Sequence, residues 1–393
     1  MTDPNRSGRS PAKARTLLAA AAVASAAAVA LAVPAAASAA TVHASPDGGA
    51  RPAVFVQTDN TAGNQVVAYA RASDGTLTLA GTYPTGGLGG QLTGSVVDHL
   101  ASQGSLQYDP AQHLLVVVNA GSNSVTVFGV HGTRLHRQQI IGSGGQFPVS
   151  VAIRGNLVYV LNGLRGGSVQ GYRLAPGGRL AFLRGSHRRL HLSQSATPQF
   201  TNTPGQVAFS PSGSQLVVTT KANGNDIDVF AVRPAGRLSA SPVVNSEGST
   251  VPFAITFDQA GHLVIADAGT NALSTFSLGS DGTVTPIDSV GTGQAATCWV
   301  APAGGTLYAS NAGSANVSGY TSSAGGQLTL LGQTTTDPGT VDAAATPDGA
   351  FLYVQTGGNG IVDEFSVGTG GSLTSLGSVT VAGAAGGEGI AAS

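Results

Sequence analysis

The apolar positions of this chain fall in short runs rather than in long helical periodicities. Runs of four to eight residues rich in Val, Leu, Ile, Tyr and Thr alternate with Gly-, Asn-, Asp- and Ser-rich turns, the pattern of β-strands joined by tight hairpins. One such run recurs. It reads Leu114–Asn119 before Ala-Gly-Ser-Asn, Leu157–Asn162 before Gly, and Leu216–Thr220 before Lys-Ala-Asn. It returns as Leu263–Asp267, Leu307–Asn311 and Leu352–Thr356, and a seventh copy, Val54–Thr58, opens the repetitive region. The residues ending the copies sit at 58, 119, 162, 220, 267, 311 and 356, so four of the six spacings lie between 43 and 47. The other two, 61 and 58, mark insertions around 86–103 and 185–203.

Each unit holds four predicted strands. In the fifth they are Phe253–Phe257, Leu263–Ala266, Ala272–Leu278 and Val284–Val290, separated by Asp-Gln-Ala-Gly, Asp-Ala-Gly-Thr-Asn and Ser-Asp-Gly turns. Gly, Asn and Asp suit such hairpins because they accept positive φ at little cost. A repeat of about 45 residues with four antiparallel strands predicts an all-β, seven-bladed propeller of four-stranded blades. The first unit lacks its own first strand, and the C-terminal Glu388–Ser393 supplies a match for it. The expected ring is therefore closed by the C-terminal strand pairing into the first blade, which leaves no open sheet edge.

The first 39 residues stand apart from this pattern. Arg6, Arg9, Lys13 and Arg15 precede an uncharged, Ala-rich run, Leu17–Val33, then Pro34 and Ala37-Ser38-Ala39. That order is a secretory signal peptide, too short and too weakly apolar for a membrane anchor. The expected organisation is a signal peptide at 1–39, a short linker at 40–52 and the propeller at 53–393. The mature protein is expected outside the cell or in the cell envelope, with no membrane span after cleavage. It would carry 14 basic and 18 acidic residues. That balance argues against nucleic acid, which demands a concentrated positive stripe. The one basic cluster, Arg184, Arg188 and Arg189 with His187 and His191, reads as a solvated loop. Cys298 is the only cysteine, so no disulfide and no cysteine-based zinc site is available. Its neighbours offer no base, and it reads as an inert strand thiol.

In a propeller the turn after each second strand and the loop leading into each first strand share one face. That face gathers Asn119, Asn162, Lys221, Asp267, Asn311 and Thr356 with Gln103, Gln206, Thr297, Trp299, Asp342 and Glu388. It is the expected ligand site, a concave mouth with convergent polar groups. The Asn and Asp residues also have a plain role in turns, where their side chains hydrogen-bond the backbone. Lys221, Asp267, Trp299 and Glu388 are not needed to make a hairpin. Asn223, Asn225, Asp226 and Asp228 alternate oxygens, but they lack the spacing and terminal Glu of a calcium loop. No metal and no cofactor is expected.

The Leu-Tyr-x-x-Asn strands, the Asn-Ala-Gly-Ser turns and Pro204–Gly213 together resemble the lactonase-family propellers, over roughly residues 53–393. That family includes propeller-type 6-phosphogluconolactonases and 3-carboxymuconate-lactonizing enzymes. The resemblance implies a hydrolase-like site at the mouth, and the residues there differ from it. Where phosphogluconolactonase-like members carry Arg-His, this chain has Gly205-Gln206, and where they carry Glu it has Lys221. Where they carry Glu-x-His it has Thr297 and Trp299, and Ala312 stands in place of Arg. Lactone opening needs a base for water and donors for the oxyanion. Only Lys221 with Glu388 or Asp267 offers a substitute set. The sequence therefore favours a secreted monomer that binds a small molecule, glycan or protein at the mouth. A lactone hydrolase or cycloisomerase with a remodelled site, and a structural cell-surface propeller, stay open as alternatives.

Overall fold

A computed structural model describes residues 52–393; the expected signal peptide and nearly all of the linker lie outside the described residues. Seven antiparallel sheets carry the chain. The fifth is typical, with strands Pro252–Phe257, Leu263–Asp267, Ala272–Leu278 and Val284–Gly291 in that order. First strands of successive blades contact one another around a closed ring.

Burial explains why second strands look uniformly apolar while fourth strands do not. Leu114–Asn119 is buried at every position, because both faces of a blade are covered by neighbouring blades. At the rim, Leu328–Thr335 is mostly exposed, with Leu328 buried and Gly332 and Thr334 half-buried. The core is thus a set of inter-blade layers. One combines Ala53, Phe55, Val66 and Ala68 of blade 1 with Leu115, Val117 and Phe128 of blade 2.

Closure follows the sequence expectation. Ile390–Ala392 pairs antiparallel with Val54–Val56, and Gln57 N–H donates to Gly389 O at 2.8 Å. Gly389 has φ +114°, and a Cβ there would collide with Ser105 Oγ, so glycine is required where the latch strand enters.

Blade 3 departs from the expectation. Arg188–Arg189 is a second piece of its outer edge, pairing with Ser168 and Val169, where the sequence suggested a solvated loop. Arg188 Nε donates to Ser239 O at 2.6 Å, and another guanidinium nitrogen donates to Leu238 O at 2.7 Å. The arginine ties blade 3 to blade 4; its forked donors match two carbonyls that a neutral side chain would leave unpaired. Among the described residues no helix is long and apolar enough to cross a membrane.

Candidate functional site

The recurrent residue ending each second strand has a local job. Asn119 Nδ2 donates to Ser124 Oγ and Thr126 Oγ1, and Asn311 Nδ2 donates to Asn316 Oδ1 and Ser318 Oγ. Both tie the second strand to the third across the turn. Asn162 does the same more weakly through Ser168 O, and Asp267 Oδ2 accepts from Ser274 Oγ at 2.5 Å. Thr297 Oγ1 donates to Asn311 Oδ1 at 2.6 Å. This repeated bond across the turn is why amide and carboxyl side chains recur at that spacing.

Over the channel lie the two insertions. The first, between Pro84 and Leu106, buries Leu92 and Leu100 completely, which stabilises it by about 1.5–3 kcal/mol per side chain. It crosses the mouth. Trp299 Nε1 of blade 6 donates to Ser102 O at 2.7 Å. Gln103 Nε2 donates to Val300 O at 2.8 Å while Gln103 Oε1 accepts from Val300 N–H at 3.0 Å. Gln206 makes a similar bridge, accepting from Ile255 N–H at 2.5 Å. The second insertion meets the first, where Thr93 N–H donates to Gln199 Oε1 at 2.9 Å.

Lys221 pins both. Its Nζ donates to Ala101 O of the first insertion at 2.5 Å, and to Phe200 O and Thr203 Oγ1 of the second at 2.7 and 3.0 Å. The ammonium also lies 5.0 Å from the centre of the Phe253 ring, a cation–π contact. All three protons are committed, and the residue is 1% exposed. Burial lowers its pKa, with the Asp98 charge working the other way.

Four buried carboxyl groups, Asp59, Asp98, Asp342 and Glu388, accompany these insertions, Asp98 within the first of them. Sequence reasoning singled out the last two and missed Asp59 and Asp98. The signal for Asp98 was its place inside an insertion whose backbone must be satisfied. Its oxygens accept from the N–H groups of Leu100, Ala101 and Ser102 at 2.8–2.9 Å. Glu388 Oε1 accepts from Gly104 N–H at 2.8 Å, and Glu388 N–H donates to Asp59 at 2.9 Å. Ala343 N–H donates to Asp342 at 2.9 Å. Burial pushes Asp59 up to about 8, and burial followed by the charge of Asp342 raises Glu388 as well. Asp267, at the end of the second strand of blade 5, is pushed up to about 7 by burial. Asp59, Asp98, Asp342 and Glu388 each accept a hydrogen bond from at least one backbone N–H. Burial also pushes the Cys298 thiol up to about 12, far from thiolate.

Open space on this face lies beside the plug. A cleft of about 270 Å³ separates the blade 3 turn from the second insertion, with Gln146, Arg165, Gln194, Gln199, Asn202 and Asn223 among its lining residues. Arg165 Nε donates to Gln146 Oε1 at 3.1 Å, and Asn223 Nδ2 donates to Ser193 O and Asn202 O. Thr203, which lines the cleft, is also a Lys221 partner. The expected mouth residues do not line this cleft; the length of the second insertion was its only trace in the sequence.

No protein-family model and no curated protein matches the chain. Solved structures do. A Bacteroides fragilis protein described provisionally as a 6-phosphogluconolactonase is 17% identical, with a TM-score of 0.70 over 89% of this chain and all of that one. A Lactobacillus plantarum protein is 19% identical, with a TM-score of 0.69 over 87% of this chain and 99% of that one. The periplasmic gluconolactonase of Pseudomonas aeruginosa is 18% identical, with a TM-score of 0.68 over 87% of this chain and 98% of that one. At such identities the likeness establishes the fold, a lactonase-like seven-bladed propeller, and a shared fold does not fix a reaction.

Proposed function

We propose that the chain is an exported, non-hydrolysing propeller that binds a polyhydroxylated small molecule or glycan on its mouth face, in the cleft beside the second insertion. The observation that carries this is the commitment of Lys221. Its three donors hold the plug, so Lys221 is not free to pair with Glu388 or Asp267 in opening a lactone. The cleft lining suits hydroxyl-rich ligands, since neutral amides both donate to and accept from sugar hydroxyls and the one guanidinium, Arg165, adds charged donors. Export rests on the signal-peptide pattern of the first 39 residues, and the periplasmic location of the Pseudomonas gluconolactonase is compatible with it.

Calorimetric titration of the full chain with a panel of mono- and oligosaccharides tests the reading. Saturable binding is expected for at least one sugar, weakened about tenfold by Arg165→Ala through loss of a charge-assisted hydrogen bond. Absence of binding across the panel, or binding indifferent to Arg165, contradicts it. The plug itself favours a second reading, a purely structural disc, and that reading is the one left if no sugar binds.

A further inference from the structure

The near-balance of charge over the propeller conceals a sharp segregation along it. Of the 13 Lys and Arg residues in 52–393, 12 fall in 134–237, where Asp226 and Asp228 are the only acidic residues. From 238 to the end there are 11 acidic residues and no Lys or Arg. Successive blades are neighbours around the ring, so the positive stretch of chain becomes a sector. It comprises the outer strand of blade 2, all of blade 3 and most of blade 4.

Strand pairing gathers these arginines at the face opposite the mouth. In blade 3, Arg154 and Arg173 both pair with Leu157, one from each side, which sets them about 10 Å apart, two strand spacings. Arg179 pairs with Ala175, two residues on from Arg173. Arg173 Nη2 donates to Ala235 O at 2.8 Å, which brings the blade 4 turn carrying Arg233 and Arg237 alongside. Arg154, Arg179, Arg233 and Arg237 are exposed. None is neutralised within the chain, since the one ion pair among the described residues joins His262 and Asp258.

The complement to this charge lies outside the chain. A second copy offers little of it, because Asp267, Asp342, Asp363, Glu364 and Glu388 of the acidic half are buried. Apolar side chains in the same sector decide which anion fits. Phe182, on the strand that begins with Arg179, is 51% exposed, and Ile140 of blade 2 is 43% exposed. Their strands lie side by side: Gln139 Nε2 donates to Leu180 O at 3.0 Å, and Leu180 N–H donates to Gln139 Oε1 at 2.7 Å. On the outer strand of blade 4, Val244 is 58% exposed. A soluble polyanion gains little from bare aliphatic groups. A bilayer surface takes guanidinium groups at its phosphates and apolar side chains just beneath them.

We propose that this sector docks the protein on the surface of a bilayer rich in anionic lipids, with the acidic half of the ring turned away. The chain, purified after export so that the basic and apolar segment 1–39 does not itself bind lipid, is sedimented with vesicles. Vesicles of phosphatidylglycerol and phosphatidylcholine in equal parts are expected to retain it, and vesicles of phosphatidylcholine alone are not. Retention should fall as added salt shortens the screening length from about 10 Å at 0.1 M to about 3 Å at 1 M. Arg179→Gln, Arg233→Gln and Arg237→Gln combined should lower the partition coefficient about a hundredfold, at roughly fivefold for each arginine near the surface. The unfolding midpoint should stay unchanged, since these side chains are exposed. Phe182→Ser should lower partition severalfold at constant charge, which separates insertion beneath the headgroups from simple charge pairing. The proposal is overturned if the two vesicle compositions retain the chain alike, or if the triple variant or Phe182→Ser binds like the parent. It is overturned too if anionic vesicles fail to retain the chain, whether or not dextran sulfate, a soluble polyanion, binds it.

Discussion

At the scale of single residues, the side chains that look chemical from the sequence are mostly bracing. Lys221 is the clearest case. Lys221→Met keeps the bulk but deprives the Ala101 and Phe200 carbonyls of their donor, at about 1–3 kcal/mol for each buried group left unpaired. A loss of about 2–5 kcal/mol is expected, with amide hydrogen exchange accelerating in both insertions ahead of the blades. Uniform exchange throughout the ring would assign the residue no special role in the plug. Asp267 makes the opposite prediction. Its Oδ1 has no hydrogen-bond partner, and equivalent positions in three other blades carry Asn. Asp267→Asn should change stability by less than about 1 kcal/mol, checked by chemical denaturation. Its role as a turn residue could be inferred from the repeat; Lys221 could not, because its partners come from loops 18 and 120 residues away.

At the scale of strands and loops, local pattern and long-range contact part company. Strand boundaries in blade 5 were readable to within a residue or two, since alternation and turn chemistry are local. The latch was readable too, because an unmatched first unit and an unmatched tail imply each other. The paths of the insertions were not, as nothing in 86–103 states that Gln103 will reach across to Val300. Nor does the basic cluster announce that Arg188 will bind blade 4 carbonyls. The latch gives a direct test. Truncation after Gly387 removes the strand paired to Val54–Val56 and the Glu388 contacts to Gly104 and Ser105. It leaves an apolar first strand with an open edge. The truncated chain should unfold at lower denaturant and associate on size-exclusion chromatography; a monomer of unchanged stability would contradict the closure.

At the scale of the whole molecule, four carboxyls enclosed with one lysine make stability depend on pH. Asp59, Asp98, Asp342 and Glu388 all have folded pKa values raised, first of all by burial. Folding therefore favours their protonated forms. That contribution is complete below their unfolded values near 4 and is lost as pH rises through about 6 for Asp98, 7 for Asp342 and 8 for Asp59. Lys221, lowered to about 7 chiefly by burial, acts in the opposite sense, losing stability as pH falls through that value, but it is one group against four. The unfolding midpoint should decline from pH 5 to pH 9, and Glu388→Gln should make the decline shallower. A midpoint that rises over that range would refute the assignment.

The charged groups of the channel either hold the plug or perform chemistry. The decisive measurement is the rate of lactone opening by the purified chain over a panel of sugar and carboxylated lactones, with and without divalent metal, for the parent, Lys221→Met and Glu388→Gln. Progress curves indistinguishable from buffer are expected for all three proteins. Turnover by the parent that either substitution abolishes, in a protein still folded, would contradict that expectation.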